Sequence, residues 1–131
     1  MNARREDLKQ LARKVRIDTQ YGGVEPSPDF GPGHHPYRVT LHYQRRRLTV
    51  PYFMGAALTE EPTSYDVLYS LLLDASTIEE ANDFEEWANG LGYDSDSPKA
   101  EKLYQTVQKQ TKKLQVFLGP DFETFLRANP D

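Results

Sequence analysis

Hydrophobic and polar positions alternate with a period of two in the middle of the chain and with a helical period on either side. The apolar positions of two alternating runs are Tyr37, Val39, Leu41 and Tyr43, then Leu48, Val50, Tyr52 and Met54. A period of two is typical of strands with one buried face, and the polar break between the runs predicts a β-hairpin. Because Pro51 cannot donate to a strand ladder, we expect the second strand at a sheet edge.

Helical spacing precedes the hairpin. Residues 4–17 place Leu8, Leu11 and Val15 on one stripe among basic residues, which predicts a short amphipathic helix. Residues 22–36 contain four glycines and four prolines, which suit neither a helix nor a central strand. We therefore expect a basic N-terminal helix in residues 1–21 and a Gly/Pro-rich loop in residues 22–36.

The rest of the chain is predicted to be helical. Thr63 and Asp66 have the spacing of a capping box and open a helix through about residue 75. Residue 82 or 83 can cap a third helix that Gly92 ends, and Ser97 with Pro98 opens the longest helix. Gly119–Pro120 stops that helix, and residues 122–128 form a final turn or short helix. Residues 37–131 are thus expected to be one α+β domain, a β-hairpin packed against three or four helices.

Charge is divided unevenly along the sequence. Residues 1–54 contain ten lysines and arginines against five aspartates and glutamates, whereas residues 55–131 contain six against fifteen. From Glu60 to Asp96 there are eleven carboxylates and no lysine or arginine. Such a split indicates either two faces that attract each other or a surface that binds a partner.

The acidic run is the first candidate for a binding site. Its carboxylates could cover a basic groove on a partner protein, with Tyr65, Tyr69 or Tyr93 as buried anchors. An ordinary solvated surface would have the same composition, and the sequence leaves both interpretations open. The predicted partner-binding residues are Glu79, Glu80, Asp83, Glu85, Glu86, Asp94 and Asp96.

The basic hairpin is the alternative candidate. A basic β-ribbon can enter the major groove of DNA, and basic arms bind phosphates. The residues that would do so are Arg38, Arg45, Arg46 and Arg47. Against this hypothesis stands the net charge of −4, and the arginines could instead pair with the acidic helices.

Motifs for catalysis, cofactors and metals are missing from the sequence. There is no cysteine, no GxSxG element and no phosphate-binding glycine loop. A calcium loop starting at Asp94 fails because Lys99 stands where glycine is required. His34 and His35 lack the further ligands that a metal site needs. We therefore expect a non-enzymatic protein without a cofactor or a metal.

The segment from Asp83 to Gly119 resembles part of a group of small, uncharacterised proteins of tailed bacteriophages and prophages. The shared pattern comprises an aromatic residue at Phe84, Trp87-Ala88, Gly92-Tyr93-Asp94, Asp96-Ser97, Lys99-Ala100 and Tyr104. Members of that group often carry arginine where this chain has Pro98. The resemblance covers about a quarter of the chain and implies common descent, but no particular activity.

Together these observations favour a phage-type accessory protein that binds and inhibits a host protein complex through its acidic surface. The expected target is a nucleic-acid-handling defence complex, as for an anti-CRISPR protein. The alternative is a nucleic-acid-binding regulator that uses the basic hairpin, and a third hypothesis is an assembly protein that self-associates. The charged N-terminus and the lack of a long apolar run predict a cytoplasmic protein without membrane contact. The resemblance to phage proteins implies that this is the cytoplasm of the infected or lysogenic bacterial host.

Overall fold

A computed structural model describes residues 3–22, 34–55 and 60–129, without the side chains of residues 3–6. It has the predicted α+β fold. The elements in chain order are α1 (Ala3–Ala12), β1 (Arg16–Tyr21), β2 (His35–Tyr43), β3 (Arg46–Met54), α2 (Ser64–Glu80), α3 (Phe84–Gly90), α4 (Pro98–Leu118) and α5 (Phe122–Ala128), with a 3-10 turn at Gly119–Asp121.

The sheet has three antiparallel strands in the order β1-β2-β3. The predicted hairpin is confirmed as β2 and β3, whereas β1 replaces the end of the predicted first helix. The prediction of a helix through residue 17 is wrong beyond Ala12, because Ile17 and Thr19 pair with Leu41 and Val39 of β2. Pairing with a long neighbouring strand outweighs the local helical spacing.

The hairpin turn consists of Gln44 and Arg45, between the paired residues Tyr43 and Arg46. Gln44 has a φ of 56°, as expected for the first central residue of a type II′ turn. Among the described strands, β3 pairs with β2 alone, so the predicted edge position of Pro51 is confirmed.

The helices cover one face of the sheet and form the main core with it. Val39, Leu41 and Val50 point into this core from the strands, opposite buried residues of α2, α4 and α5. Leu8 and Ala12 of α1 belong to the same core, and Ser64 Oγ donates a hydrogen bond to the Ala12 carbonyl (2.9 Å). The first helix therefore packs against the body. Of the predicted loop 22–36, residues 23–33 lie outside the described residues.

The predicted helix ends are confirmed at most positions. Thr63 and Asp66 form the capping box of α2, although α2 continues to Glu80 rather than ending near residue 75. Ser97 caps α4 with Pro98 in its first turn, and Gly119 is its C-cap. These ends fix where each helix presents its charged residues.

A second, smaller core joins α3 to α4. Trp87, Ala88 and Val107 are buried together, and the partly buried rings of Phe84 and Tyr104 pack against them. Helix α3 of this core carries two of the predicted acidic residues, Glu85 and Glu86, in its first turn.

Candidate partner-binding surfaces

The seven predicted acidic residues are exposed and occur in three adjoining segments of the chain. Together they are called the acidic face. Two lie at the end of α2, three at the start of α3 and two in the loop between α3 and α4. In that order, the residues of the acidic face are Glu79 and Glu80, then Asp83, Glu85 and Glu86, then Asp94 and Asp96.

Three of these carboxylates also stabilise local structure. Asp83 is the N-cap of α3 and accepts a hydrogen bond from the Glu86 backbone N–H (2.9 Å). Glu86 Oε2 accepts from the Asn82 side-chain amide (3.0 Å), and Asp94 accepts from the Asp96 N–H (2.9 Å). Negative charge is favourable at a helix N-terminus, which accounts for part of this acidic clustering.

Glu79, Glu80 and Glu85 have other environments, and Glu86 has a second one beside Glu80. Glu79 Oε1 accepts a hydrogen bond from Gln115 Nε2 of α4 (3.0 Å). Glu80 and Glu86 line a shallow depression of about 230 Å³, together with Thr77 and Trp87. Glu85 lies in the first turn of α3 with an exposed side chain. The structure therefore brings Glu80 and Glu86 together beside an aromatic residue.

Exposed apolar side chains lie next to these carboxylates. Leu91 lines the same depression and is 46% exposed, and Tyr93 is 43% exposed. The Tyr93 ring stacks on Trp87 with a centroid distance of 5.7 Å. Trp87 in turn donates its indole N–H to Thr77 Oγ1 (3.1 Å), which ties α3 to α2. Leu91 is the C-cap residue of α3 and faces outward.

Of the candidate tyrosine anchors, Tyr93 is the most exposed. Tyr65 and Tyr69 are partly buried and pack against the main core. The centroids of their rings lie 6.1 Å apart. The acidic face therefore has one aromatic side chain, Tyr93, that is both well exposed and held in place by stacking.

The four predicted basic residues do not form one patch. Arg45 is exposed in the turn and Arg47 is exposed on β3. Arg38 pairs with Pro51, whereas Arg47 pairs with His42. Arg38 and His42 are four residues apart on β2, which corresponds to about 13 Å along the strand. A single phosphate-binding cluster of all four arginines is therefore not formed.

Arg46 has a structural role. Its Nε donates to the Phe117 carbonyl (2.6 Å) and its Nη2 to the Leu118 carbonyl (3.3 Å), two carbonyls at the end of α4. Nη2 also donates to Gln44 Oε1 (3.1 Å). A cation that binds the last carbonyls of a helix satisfies groups that have no partner within the helix.

Two basic residues outside the predicted basic set lie beside Arg47. Lys112 and Lys113 of α4 line a groove of about 590 Å³ together with Arg47 and Thr49 of β3. This basic groove combines a residue of the basic half of the chain with residues of the acidic half. The net charges of the two halves of the chain do not indicate this groove, whereas the helical spacing of the α4 lysines could have shown that they share its exposed side.

The described residues give few other indications of chemistry. They include no group of three or more His, Asp or Glu side chains that could hold a metal ion. Burial raises the pKa of the Asp74 carboxyl, and this residue lies outside both surfaces. None of the described helices combines the length and apolar character that crossing a lipid bilayer requires.

Comparisons with protein-family models, with curated proteins and with solved structures found no match.

Proposed function

We propose that the protein is a non-catalytic binding protein that places its acidic face on a basic surface of a partner protein. The observation that supports this best is the position of Leu91 and Tyr93, both partly exposed, among carboxylates in a segment that has no lysine or arginine. Protein interfaces typically combine a buried aromatic or aliphatic anchor with a polar rim. In this arrangement Tyr93 and Leu91 supply the anchor, and Glu80, Glu85 and Glu86 direct the approach.

The proposed partner is a host protein, in particular a nucleic-acid-handling defence complex. Two lines of reasoning favour it. The resemblance of residues 83–119 to small phage proteins suggests a role during infection. A complex that binds phosphates presents lysine and arginine side chains, and a carboxylate surface complements them as a phosphate backbone does.

The test uses residues of the acidic face that have no role in capping. We expect Glu80→Lys combined with Glu85→Lys to abolish capture of the partner from nuclease-treated host lysate. The matched control combines Glu101→Lys and Glu123→Lys, which reverse exposed charges in the first turns of α4 and α5. With the partner identified by mass spectrometry, its affinity for the unchanged protein should fall as salt rises. Equal capture by the two variants would remove the proposal.

The alternative, nucleic-acid binding by the hairpin, has fewer residues to rely on. Arg46 is engaged with α4, which leaves Arg45 and Arg47 at the hairpin end. Phosphate contacts strengthen as salt falls, so a mobility-shift assay at about 50 mM salt is the appropriate comparison. A shift with duplex or single-stranded DNA that Arg45→Glu and Arg47→Glu remove would favour the alternative over the acidic face.

A further inference from the structure

The basic groove lies between the edge strand β3 and the long helix α4. Val116, which is 73% exposed, contributes an apolar side chain to this groove, whereas Phe117 is 2% exposed. The groove is lined by Arg46, Arg47, Leu48, Thr49, Lys112, Lys113, Val116 and Phe117. It therefore combines cations, an apolar side chain and the side of an edge strand.

The backbone of β3 can accept another strand at this groove. In a hairpin with a two-residue turn, the residues that flank the turn exchange hydrogen bonds, and every second pair after them does so too. Tyr43 and Arg46 flank the turn, so the N–H and C=O groups of Arg47 and Thr49 point away from β2. Pro51 follows in the same series, where its missing N–H costs the β2–β3 ladder nothing. No described strand occupies that side of β3.

We propose that the basic groove binds an extended, acidic peptide segment of a partner protein as an added strand on β3. Strand addition to a sheet edge gives affinity through backbone hydrogen bonds and specificity through alternate side chains. Alternate side chains of the added strand would contact Val116 or lie on the outer sheet face beside Arg47. Lys112 and Lys113 supply the positive charge that selects glutamate or aspartate in the peptide.

A peptide fits this groove better than single-stranded nucleic acid. Proteins that bind single strands combine cations with exposed aromatic rings on which bases stack. Among the described residues that line the groove, Phe117 is the one aromatic residue, and its ring is buried in the main core. The outward N–H and C=O groups of β3 instead match the strand spacing of a polypeptide. This proposal is independent of the acidic face.

The test is an NMR titration of the full chain with a short peptide that alternates glutamate and valine. We expect amide shifts at Arg47, Thr49 and Val116, and no binding of a peptide that alternates lysine and valine. Lys112→Glu combined with Lys113→Glu should weaken binding at least fivefold, the order expected for lost exposed ion pairs. The control combines Lys102→Glu with Lys109→Glu, exposed lysines of α4 that do not line the groove.

A second measurement separates strand addition from simple charge attraction. Peptides that are N-methylated at every second residue, in either register, keep their charge but lose one set of backbone donors. One register should lose binding and the other should retain it. Equal binding of the two methylated peptides, tighter binding of an oligothymidine, or shifts confined to residues outside the groove would each overturn the proposal. Glu80→Lys with Glu85→Lys should leave the titration unchanged, so this test is separate from that of the acidic face.

Discussion

Arg45, Arg46 and Arg47 are consecutive in the chain, and each has a different environment. Arg45 is exposed in the turn, and Arg47 lines the basic groove. Arg46 is partly buried and donates to two carbonyls at the end of α4. Its Cζ lies 5.9 Å from the centroid of the Tyr43 ring. Residue type alone predicts a common role for the three, whereas alternation along a strand assigns neighbours to opposite faces.

Replacing Arg46 should destabilise the fold. We expect Arg46→Ala to lower the free energy of unfolding by about 2 kcal/mol, the order for hydrogen bonds to a charged group. Arg46→Lys should recover little, since an ammonium group cannot donate from two fixed positions to neighbouring carbonyls. Arg45→Ala is the control and should leave the free energy of unfolding within about 0.5 kcal/mol. Urea denaturation measures all three variants, and equal stability of Arg46→Ala and Arg45→Ala would contradict the assigned role.

A second residue-scale prediction concerns pH. Burial raises the pKa of the Asp74 carboxyl in the folded protein above that in the unfolded chain. The native state thus holds the proton more tightly, so stability falls as pH rises through this pKa. Asp74→Asn should stabilise the protein at neutral pH, and the gain should shrink as the pH falls through the carboxyl range. Urea titrations of both proteins at several pH values measure this difference in the free energy of unfolding, and a gain that does not change with pH would contradict the assigned cause.

At the scale of elements, the sequence predicts structure where the signal is local. Thr63 and Ser97 are confirmed as capping residues, because each side chain accepts a hydrogen bond from a backbone N–H in the first turn of its helix. Gly119 is confirmed as the end of α4. Strand β1 was missed, although Ile17, Thr19 and Tyr21 alternate as a strand requires. Its pairing partner lies beyond the Gly/Pro-rich segment, and a helical spacing overlaps its start. The order of the strands thus depends on a pairing between distant parts of the sequence, which local sequence patterns do not indicate.

The packing of α1 is the main element-scale test. Leu8 is fully buried in the main core, so Leu8→Ala should lower the free energy of unfolding by roughly 2–5 kcal/mol. Leu103→Ala on α4 is the control, because Leu103 is 38% exposed and should contribute little. Denaturation followed by the fluorescence of Trp87 reports both. A Leu8→Ala variant as stable as the control would mean that α1 does not pack on the body in solution.

Local sequence patterns also predict only one of the two candidate surfaces. The sequence indicates the acidic face as a cluster because its residues are close in sequence, at the end of α2, at the start of α3 and in the loop before α4. The basic groove is not indicated in this way, because it joins Arg47 to Lys112 and Lys113 across more than sixty positions of the chain. Folding also removed Arg46 from the predicted basic cluster. Contacts over long sequence separations therefore decide which charges act together.

At the scale of the whole molecule, the fold carries an acidic face and a basic groove on different elements. Because one chain carries both surfaces, the acidic face of one copy is complementary to the basic groove of another. Such head-to-tail association forms open filaments or rings. Exposed ion pairs contribute only about 0.2–1 kcal/mol each, and association costs roughly 4–15 kcal/mol of translational and rotational freedom. Attraction among a few exposed charges is therefore too weak to hold two copies together.

We accordingly expect the protein to remain a monomer at micromolar concentration, even at about 50 mM salt, where screening is weak. Sedimentation velocity at several concentrations measures this directly. The informative comparison is Lys112→Glu with Lys113→Glu, which removes the positive charge that an acidic face of another copy would contact. A concentration-dependent dimer that this variant abolishes would contradict the prediction and assign the basic groove to a second copy. An unchanged monomer leaves the groove and the acidic face open for partners of opposite charge, which is the condition that both proposed interactions require.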